Sequence, residues 1–128
     1  MQQITPTVTP VVRDAAEGRL PEWVQAKPKR LEHMARVAAL MRQWATELGL
    51  PEDEVARWAA VGYLHDALRD ADAEELRPLV PPAFRELPGK LLHGPAAAER
   101  LKGDADEELV EAVRCHTLGC PRFRTMGR

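Results

Sequence analysis

A histidine and an aspartate stand side by side at residues 65 and 66, at the ionisable end of an apolar helix face. That face begins with Val55, Trp58 and Ala59 and continues through Gly62. His65, Asp66 and Arg69 continue it at the three- and four-residue steps that are typical of an α-helix. An imidazole and a carboxylate buried without partners would cost the folded chain several kcal/mol. The fold must therefore bring neutralising groups to this pair.

The remaining three histidines also fall at inward or helix-end positions. His33 lies one turn before Val37, on the apolar stripe of an earlier predicted helix. His93 comes directly before a predicted helix start, and His116 lies at the end of the last predicted helix. A single histidine on such a face is more often a hydrogen-bonded core residue. Core packing by all four histidines is therefore the alternative to a functional role.

A metal centre would neutralise the whole group. Neutral imidazole binds Zn, Fe, Mn, Co and Ni, and a carboxylate can bridge two ions through its two oxygens. Adjacent side chains on a helix point about 100° apart, so one residue of the pair can serve one ion while the other reaches a second. The predicted metal ligands are His33, His65, Asp66, His93 and His116.

Helical spacing and capping residues predict an all-α fold, a bundle of about five to seven helices. Residues 29–48 carry one apolar stripe, formed by Val37, Leu40, Met41, Trp44 and Leu48. Residues 51–70 form the helix that contains the histidine–aspartate pair. Gly62 in the middle of that helix is unfavourable by itself, and it predicts the close approach of another helix or a ligand. No segment shows the alternation typical of a β-strand.

Shorter helices are predicted around these two. Asp72 and Asp106 are expected to cap helices over residues 73–76 and 107–116, because each carboxylate can accept a hydrogen bond from an unpaired N–H of the first turn. Residues 96–101 form another predicted helix, since glycine and proline precede it in the order typical of a helix start.

The chain has 128 residues, enough for one domain with its own core. We expect residues 1–27 to be an N-terminal extension with short helices, and residues 28–128 to form the domain. A formal net charge of −2 argues against a general nucleic-acid binder, which would show a basic excess.

The N-terminus lacks the pattern of a signal peptide, and no apolar run approaches the ~20 residues needed to span a bilayer. We therefore expect a cytoplasmic protein with no membrane or nucleic-acid partner. Two cysteines do not make a disulfide framework, and we expect Cys115 and Cys120 to be reduced thiols.

Four short blocks follow one another in the chain: KRLEH at residues 29–33, LHDALR at 64–69, LLHGP at 91–95 and HTLG at 116–119. In this order they resemble the HD-domain metal-dependent phosphohydrolases, and within them the YqeK-type branch, the symmetrical diadenosine-tetraphosphate hydrolases. The resemblance runs from about residue 28 to the C-terminus. It implies an HD-domain helical bundle in which Asp66 bridges two metals held by the four histidines.

The resemblance also implies the chemistry. The cofactor would be one or two divalent ions, iron in the first place and Mn, Co, Ni or Zn as alternatives. Asp66 and Arg69 would be catalytic, and a set of four cations would bind phosphate, namely Lys29, Arg30, Arg69 and Lys90. Arg69 stands where the family usually has lysine, and it keeps the charge while adding a planar fork. The implied substrate is a small-molecule nucleotide polyphosphate, with symmetrical cleavage of diadenosine tetraphosphate to ADP as the most specific form of the reaction.

Alternatives stay open at two points. The four cations can be solvated helix-end charges, and Arg69 can pair with Asp66 or Asp70 instead of binding phosphate. The family also carries a further aspartate ligand after the HTLG block, whereas no aspartate follows Asp106 here. We therefore expect a C-terminally shortened member, and the alternative function is a catalytically impaired module that binds metal or nucleotide. Apolar surface exposed by such shortening would favour a homodimer.

Overall fold

The computed structural model describes residues 8–116, over which the chain forms six α-helices and no β-strand. The predicted all-α fold is confirmed. The helices are α1 (Pro10–Ala16), α2 (Pro28–Glu47), α3 (Glu52–Leu64), α4 (Ala73–Leu76), α5 (His93–Leu101) and α6 (Glu107–Cys115). None of the helices in this range is long and apolar enough to cross a lipid bilayer. Residues 117–119 of the HTLG block and Cys120 lie outside the described range.

The two long helices, α2 and α3, pack against each other as an antiparallel pair, and α3 supplies a large part of the core. Between them Gly49 adopts a left-handed conformation, with φ of 76°, which ends α2. Gly62 of α3 lies directly against α2, because a Cβ added there would lie 2.5 Å from Cα of Ala38. The close approach predicted at this glycine is thus an approach of two helix backbones.

The apolar stripe predicted on α2 is only partly buried. Leu40, Trp44 and Leu48 are 43%, 44% and 59% exposed. The face that meets α3 instead carries the buried residues Ala38 and Ala45. The prediction was based on hydrophobicity alone and therefore placed the large side chains in the core. In the structure, the short distance between the backbones of α2 and α3 leaves room only for small side chains.

The helix that contains the histidine–aspartate pair ends earlier than predicted. Regular α3 stops at Leu64, and residues 65–70 form a series of turns. These turns are closed by hydrogen bonds over three residues, from Ala67 N to Leu64 O at 3.1 Å and from Arg69 N to Asp66 O at 3.0 Å. Because such turns are tighter than an α-helix, the side chains after Leu64 leave the 100° spacing. Arg69 is exposed as a result.

The shorter helices complete the core. α1 packs against α3 and buries Val12 completely, while α5 and α6 pack against each other. Both predicted caps are confirmed: Asp72 accepts a hydrogen bond from Glu74 N at 3.0 Å, and Asp106 accepts one from Leu109 N at 3.1 Å.

Two further expectations are wrong. α5 begins at His93 rather than after it, with Leu92 as the N-cap residue. Cys115 is disulfide-bonded and not a reduced thiol, which its sequence spacing did not indicate.

Arg57 ties α3 to the start of α6. Its side chain is only 1% exposed, and its Nε and Nη2 donate to the two carboxylate oxygens of Asp106 at 3.1 and 2.7 Å. Its Nη1 donates to Glu54 at 2.6 Å and its Nη2 also donates to Glu108 at 2.8 Å. The carboxylate that caps α6 is therefore the same group that neutralises a buried guanidinium, so the two helices are fixed relative to each other.

We predict that Gly62→Ala destabilises the protein. Alanine is favoured over glycine in a helix by about 1 kcal/mol, but the new Cβ would collide with backbone atoms that cannot rotate away. We expect a net loss of about 1–3 kcal/mol in the free energy of unfolding, measured by urea denaturation followed by circular dichroism. A gain of about 1 kcal/mol, as helix propensity alone requires, would contradict the close approach.

Candidate metal centre

Four imidazoles converge on one buried carboxylate, that of Asp66. His33 comes from α2, and His65 directly follows α3 beside Asp66. His93 opens α5, and His116 is the residue after α6. The structure thus brings together all five residues that the sequence predicts as metal ligands, from four separate parts of the chain.

The four Nε2 atoms divide between the two carboxylate oxygens of Asp66. Oδ2 lies 3.5 Å from Nε2 of both His33 and His65. Oδ1 lies 3.5 Å from Nε2 of His93 and 3.7 Å from Nε2 of His116. We call the first set the outer half-site and the second the inner half-site. Each half-site offers three ligand atoms that lie within 4.8 Å of one another.

Main-chain carbonyls fix the protonation of three of the rings. The Nδ1 atoms of these histidines lie at hydrogen-bond distance from carbonyl oxygens: 2.8 Å from His65 to Gly62, 3.1 Å from His93 to Lys90 and 2.9 Å from His116 to Val113. A carbonyl oxygen only accepts, so each Nδ1 carries the proton and donates it. Each Nε2 then presents a lone pair toward Asp66, which is the form in which imidazole binds a metal.

This arrangement needs a cation. Nε2 of His93 and Nε2 of His116 are buried and have no hydrogen-bond partner among the described residues. Lone pairs that face a negatively charged carboxylate repel it, and buried polar atoms without partners are costly. A divalent metal between each nitrogen pair and its oxygen would remove both costs. The donor set of imidazole nitrogen and carboxylate oxygen suits Fe, Mn, Co, Ni or Zn.

The electrostatics keep the carboxyl group charged and one ring neutral. Burial opposes ionisation of Asp66, but protons that Nε2 of His116 and His93 share with the carboxylate when no metal is bound outweigh this and hold the pKa of Asp66 well below its ordinary value of 3.8. Burial lowers the pKa of His65 from its ordinary value of 6.5. At neutral pH the centre therefore offers an anionic bridging ligand and a neutral imidazole at His65.

The two half-sites differ in their access to water. In the inner half-site the side chains of His93 and His116 are 4% and 14% exposed. In the outer half-site His33 is 42% exposed, although His65 is only 15% exposed. The outer half-site is therefore the more accessible of the two, through the side chain of His33.

Arg30 is the predicted phosphate-binding cation that lies at the centre. Its Nη1 is 3.8 Å from Oδ2 of Asp66, and its Nε is 3.4 Å from Oδ1 of Asp70. Lys27, Lys29, Arg30 and Asp70 line a cavity of about 210 Å³ beside this contact. Lys29 itself is exposed.

Arg69 and Lys90 occupy more peripheral positions. Both side chains are exposed. The alternative in which Arg69 pairs with Asp66 or Asp70 is not what the described residues show, since Arg30 holds both ion pairs. Lys90 contributes its main-chain carbonyl, which orients His93. The catalytic role of Arg69 and the phosphate-binding role of Lys90 stay predictions.

Sequence reasoning missed two residues that position the site. A Cβ added at Gly94 would lie 3.0 Å from Val113 O and 3.3 Å from Cε1 of His116, so this glycine lets α5 approach the end of α6. In the sequence, Gly94 stands directly after the predicted ligand His93, which could have indicated this role. A glycine at the start of a helix explained its presence equally well. The second residue is Asp70, whose pairing with Arg30 across forty positions of sequence left no local signal.

Residues 30–125 match the HD domain family, and the chain belongs to this family. Its members are generally metal-dependent hydrolases, and the histidine–aspartate cluster described above is the place where this chain could hold a metal. A comparison with curated proteins gave no match.

We predict that each half-site holds one divalent ion and that Asp66 is required for both. In equilibrium dialysis against excess Mn²⁺, with metal content measured by mass spectrometry, the protein should retain two ions. His93→Gln and His33→Gln should each retain one, since each removes a ligand of one half-site. Asp66→Asn should retain none. The control is Asp53→Asn, which removes an exposed carboxylate of the first turn of α3 and should bind like the parent. Equal retention by Asp66→Asn and Asp53→Asn would contradict the assignment.

Proposed function

We propose that this protein is a metal-dependent phosphohydrolase whose substrate is a nucleotide polyphosphate. The observation that carries the proposal is the position of Asp66, whose two carboxylate oxygens lie between two pairs of Nε2 atoms. Membership of the HD domain family supports the same reaction class. The guanidinium of Arg30 beside the outer half-site supports an anionic substrate.

The chemistry divides between the metals and the protein. Divalent ions at such a centre supply a water of lowered pKa and take up negative charge on a phosphoryl group. Asp66 orients the two half-sites relative to each other through its two oxygens. The carbonyl oxygens of Gly62, Lys90 and Val113 hold three of the rings in place through their Nδ1 atoms. These ligands are pre-positioned before substrate arrives.

Phosphate binding would fall mainly to Arg30. Its guanidinium has several N–H donors in a plane, so it can bind a phosphate in bidentate fashion while it contacts Asp70. Lys29 lies on the same turn of α2, beside the cavity that Arg30 lines. We propose Lys90 and the catalytic Arg69 as contacts for phosphate groups further from the centre. A chain of phosphates would explain the use of several cations.

The finer proposal is that the substrate is diadenosine tetraphosphate, cleaved symmetrically to two ADP. Its support is the order and surroundings of the four histidine blocks in the sequence. The same resemblance supports iron as the metal. Cytoplasmic location is part of this proposal, because the substrate is an intracellular nucleotide.

We also propose a homodimer in which α2 contributes to the contact. Its support is the row of large apolar side chains that α2 leaves exposed, Leu40, Trp44 and Leu48. Three neighbouring apolar side chains expose a larger continuous apolar surface than single ones do, and such a surface favours self-association. Sedimentation at several protein concentrations tests it, and a monomer at every concentration would contradict it.

The experiment that tests the function uses protein reconstituted with Fe²⁺ without oxygen, or with Mn²⁺, and incubated with diadenosine tetraphosphate. Products separated by anion exchange should be ADP alone. Production of ATP and AMP would contradict symmetrical cleavage. Two bound ions with no turnover of any nucleotide polyphosphate would instead identify a binding module.

We predict distinct kinetic effects for two variants. Asp66→Asn should lower kcat by about 1,000-fold or more, because it removes the shared metal ligand. Arg30→Gln should raise KM by about tenfold while the chain still binds metal, because it removes a charged phosphate contact. Arg36→Gln removes an exposed cation of the same helix and is the matched control. A KM that changes equally in both arginine variants would contradict a specific role for Arg30.

A further inference from the structure

The two half-sites differ in their surroundings as well as in their ligands. Apart from the histidines, Arg30 is the cationic residue within residues 8–116 that forms an ion pair with Asp66. Its guanidinium contacts Oδ2. Oδ1 faces the two imidazoles of His93 and His116. A positive charge thus already lies beside the outer half-site, whereas no lysine or arginine among the described residues forms an ion pair with Oδ1, the oxygen of the inner half-site.

Arg30 is held in this position from the other side. Asp70 Oδ1 lies 3.4 Å from Nε and 3.5 Å from Nη2 of Arg30. The second oxygen of Asp70 accepts a hydrogen bond from Lys27 N at 2.9 Å. Lys27 is the residue before the first turn of α2 and has no capping side chain of its own. Asp70 therefore fixes the start of α2 and the guanidinium together.

We propose that Arg30, positioned by Asp70, makes the outer half-site the weaker of the two metal sites. The proposal rests on the metal centre of the proposed function. A divalent ion at His33, His65 and Oδ2 must share that oxygen with the guanidinium or displace it. Since the contact is only partly exposed, solvent does not fully screen the repulsion between the two positive charges. The inner half-site has no such competitor among the described residues.

The two contacts of Arg30 have opposite effects on this competition. The positive charge of Arg30 disfavours an ion at the outer half-site. The negative charge of Asp70 compensates part of that charge and offers the guanidinium a place away from Asp66. Arg30 and Asp70 are thus positioning residues that set when the second metal binds, and neither is a metal ligand.

The test is a titration of the metal-depleted full chain with Mn²⁺ in the absence of nucleotide. Binding is measured by isothermal titration calorimetry. The parent should show one tight and one weak site that differ in Kd by about tenfold or more. Arg30→Gln should tighten the weak site by about tenfold and leave the tight site unchanged. Asp70→Asn should have the opposite effect and weaken the same site, because it leaves the charge of Arg30 uncompensated.

Two controls separate the local effect from others. Arg30→Lys keeps a positive charge and should behave more like the parent than Arg30→Gln does. Arg36→Gln makes the same change of net charge at an exposed position of α2 and should leave both sites unchanged. Circular dichroism of each metal-free variant shows whether it is folded. If Arg30→Gln is unfolded, the affinity of the weak site in Asp70→Asn is the test of the proposal.

The outcomes distinguish this proposal from the function on which it rests. No binding of Mn²⁺ by the parent would refute the metal centre itself. Two ions of equal affinity in the parent, or a folded Arg30→Gln variant with the affinities of the parent, would refute only the role of Arg30. A weak site that tightens in Asp70→Asn would also overturn the proposal. One bound ion in the parent and two in Arg30→Gln would support it.

Discussion

The structure depends on one unfavourable feature, a carboxylate held inside a helical protein. Asp66 is 3% exposed, and an isolated charge in such a position would be strongly destabilising. It is tolerated because the four imidazoles around it can hold a proton or a metal ion against its oxygens, and because a guanidinium approaches one of these oxygens. Since no helix alone can supply these groups, the chain must bring α2, the end of α3, the start of α5 and the end of α6 to one point. The burial of Asp66 thus accounts for the arrangement of the helices.

Three tight contacts hold the ligand-bearing elements in place. Gly62 brings the backbone of α3 against Ala38 of α2, which sets the distance between His33 and the histidine–aspartate pair. Gly94 lets α5 approach the end of α6, where His116 lies. At the other end of α6, the cap formed by Asp106 is anchored to α3 by Arg57. Two of these contacts require the absence of a side chain, and the third requires a buried charge.

The sequence predicted the identity of the ligands better than the way the helices present them. His33, His65, Asp66, His93 and His116 stand out because buried ionisable residues need partners, and this requirement is independent of exact geometry. Helix positions follow from local spacing and capping, and most of them are confirmed within a residue or two. Local rules could not show that hydrogen bonds over three residues replace α3 after Leu64.

Charge pairing was also beyond local rules. The arginine nearest to Asp66 in sequence is Arg69, whereas the arginine nearest in space is Arg30 of a different helix. Similarly, the large apolar residues of α2 were expected to face the core, but the approach of α3 at Gly62 excludes them. Both errors have the same origin. Spacing along one helix predicts which side chains share a face. What that face contacts depends on how the neighbouring helix packs against it.

The number of ligands bears on the kind of metal chemistry that the centre supports. Structural metal sites are usually closed by four protein ligands, whereas catalytic sites keep a position for water or substrate. Residues 8–116 supply three ligand atoms to each half-site, with Asp66 divided between them. His33 lies toward solvent, and Arg30 and Lys29 lie near the same half-site. Within the described residues, a half-site with three ligand atoms and cations that can bind an anion therefore lie close together on the side of His33. A metal that served only to hold the helices together would need neither, which favours hydrolysis of a phosphate compound over a purely structural role.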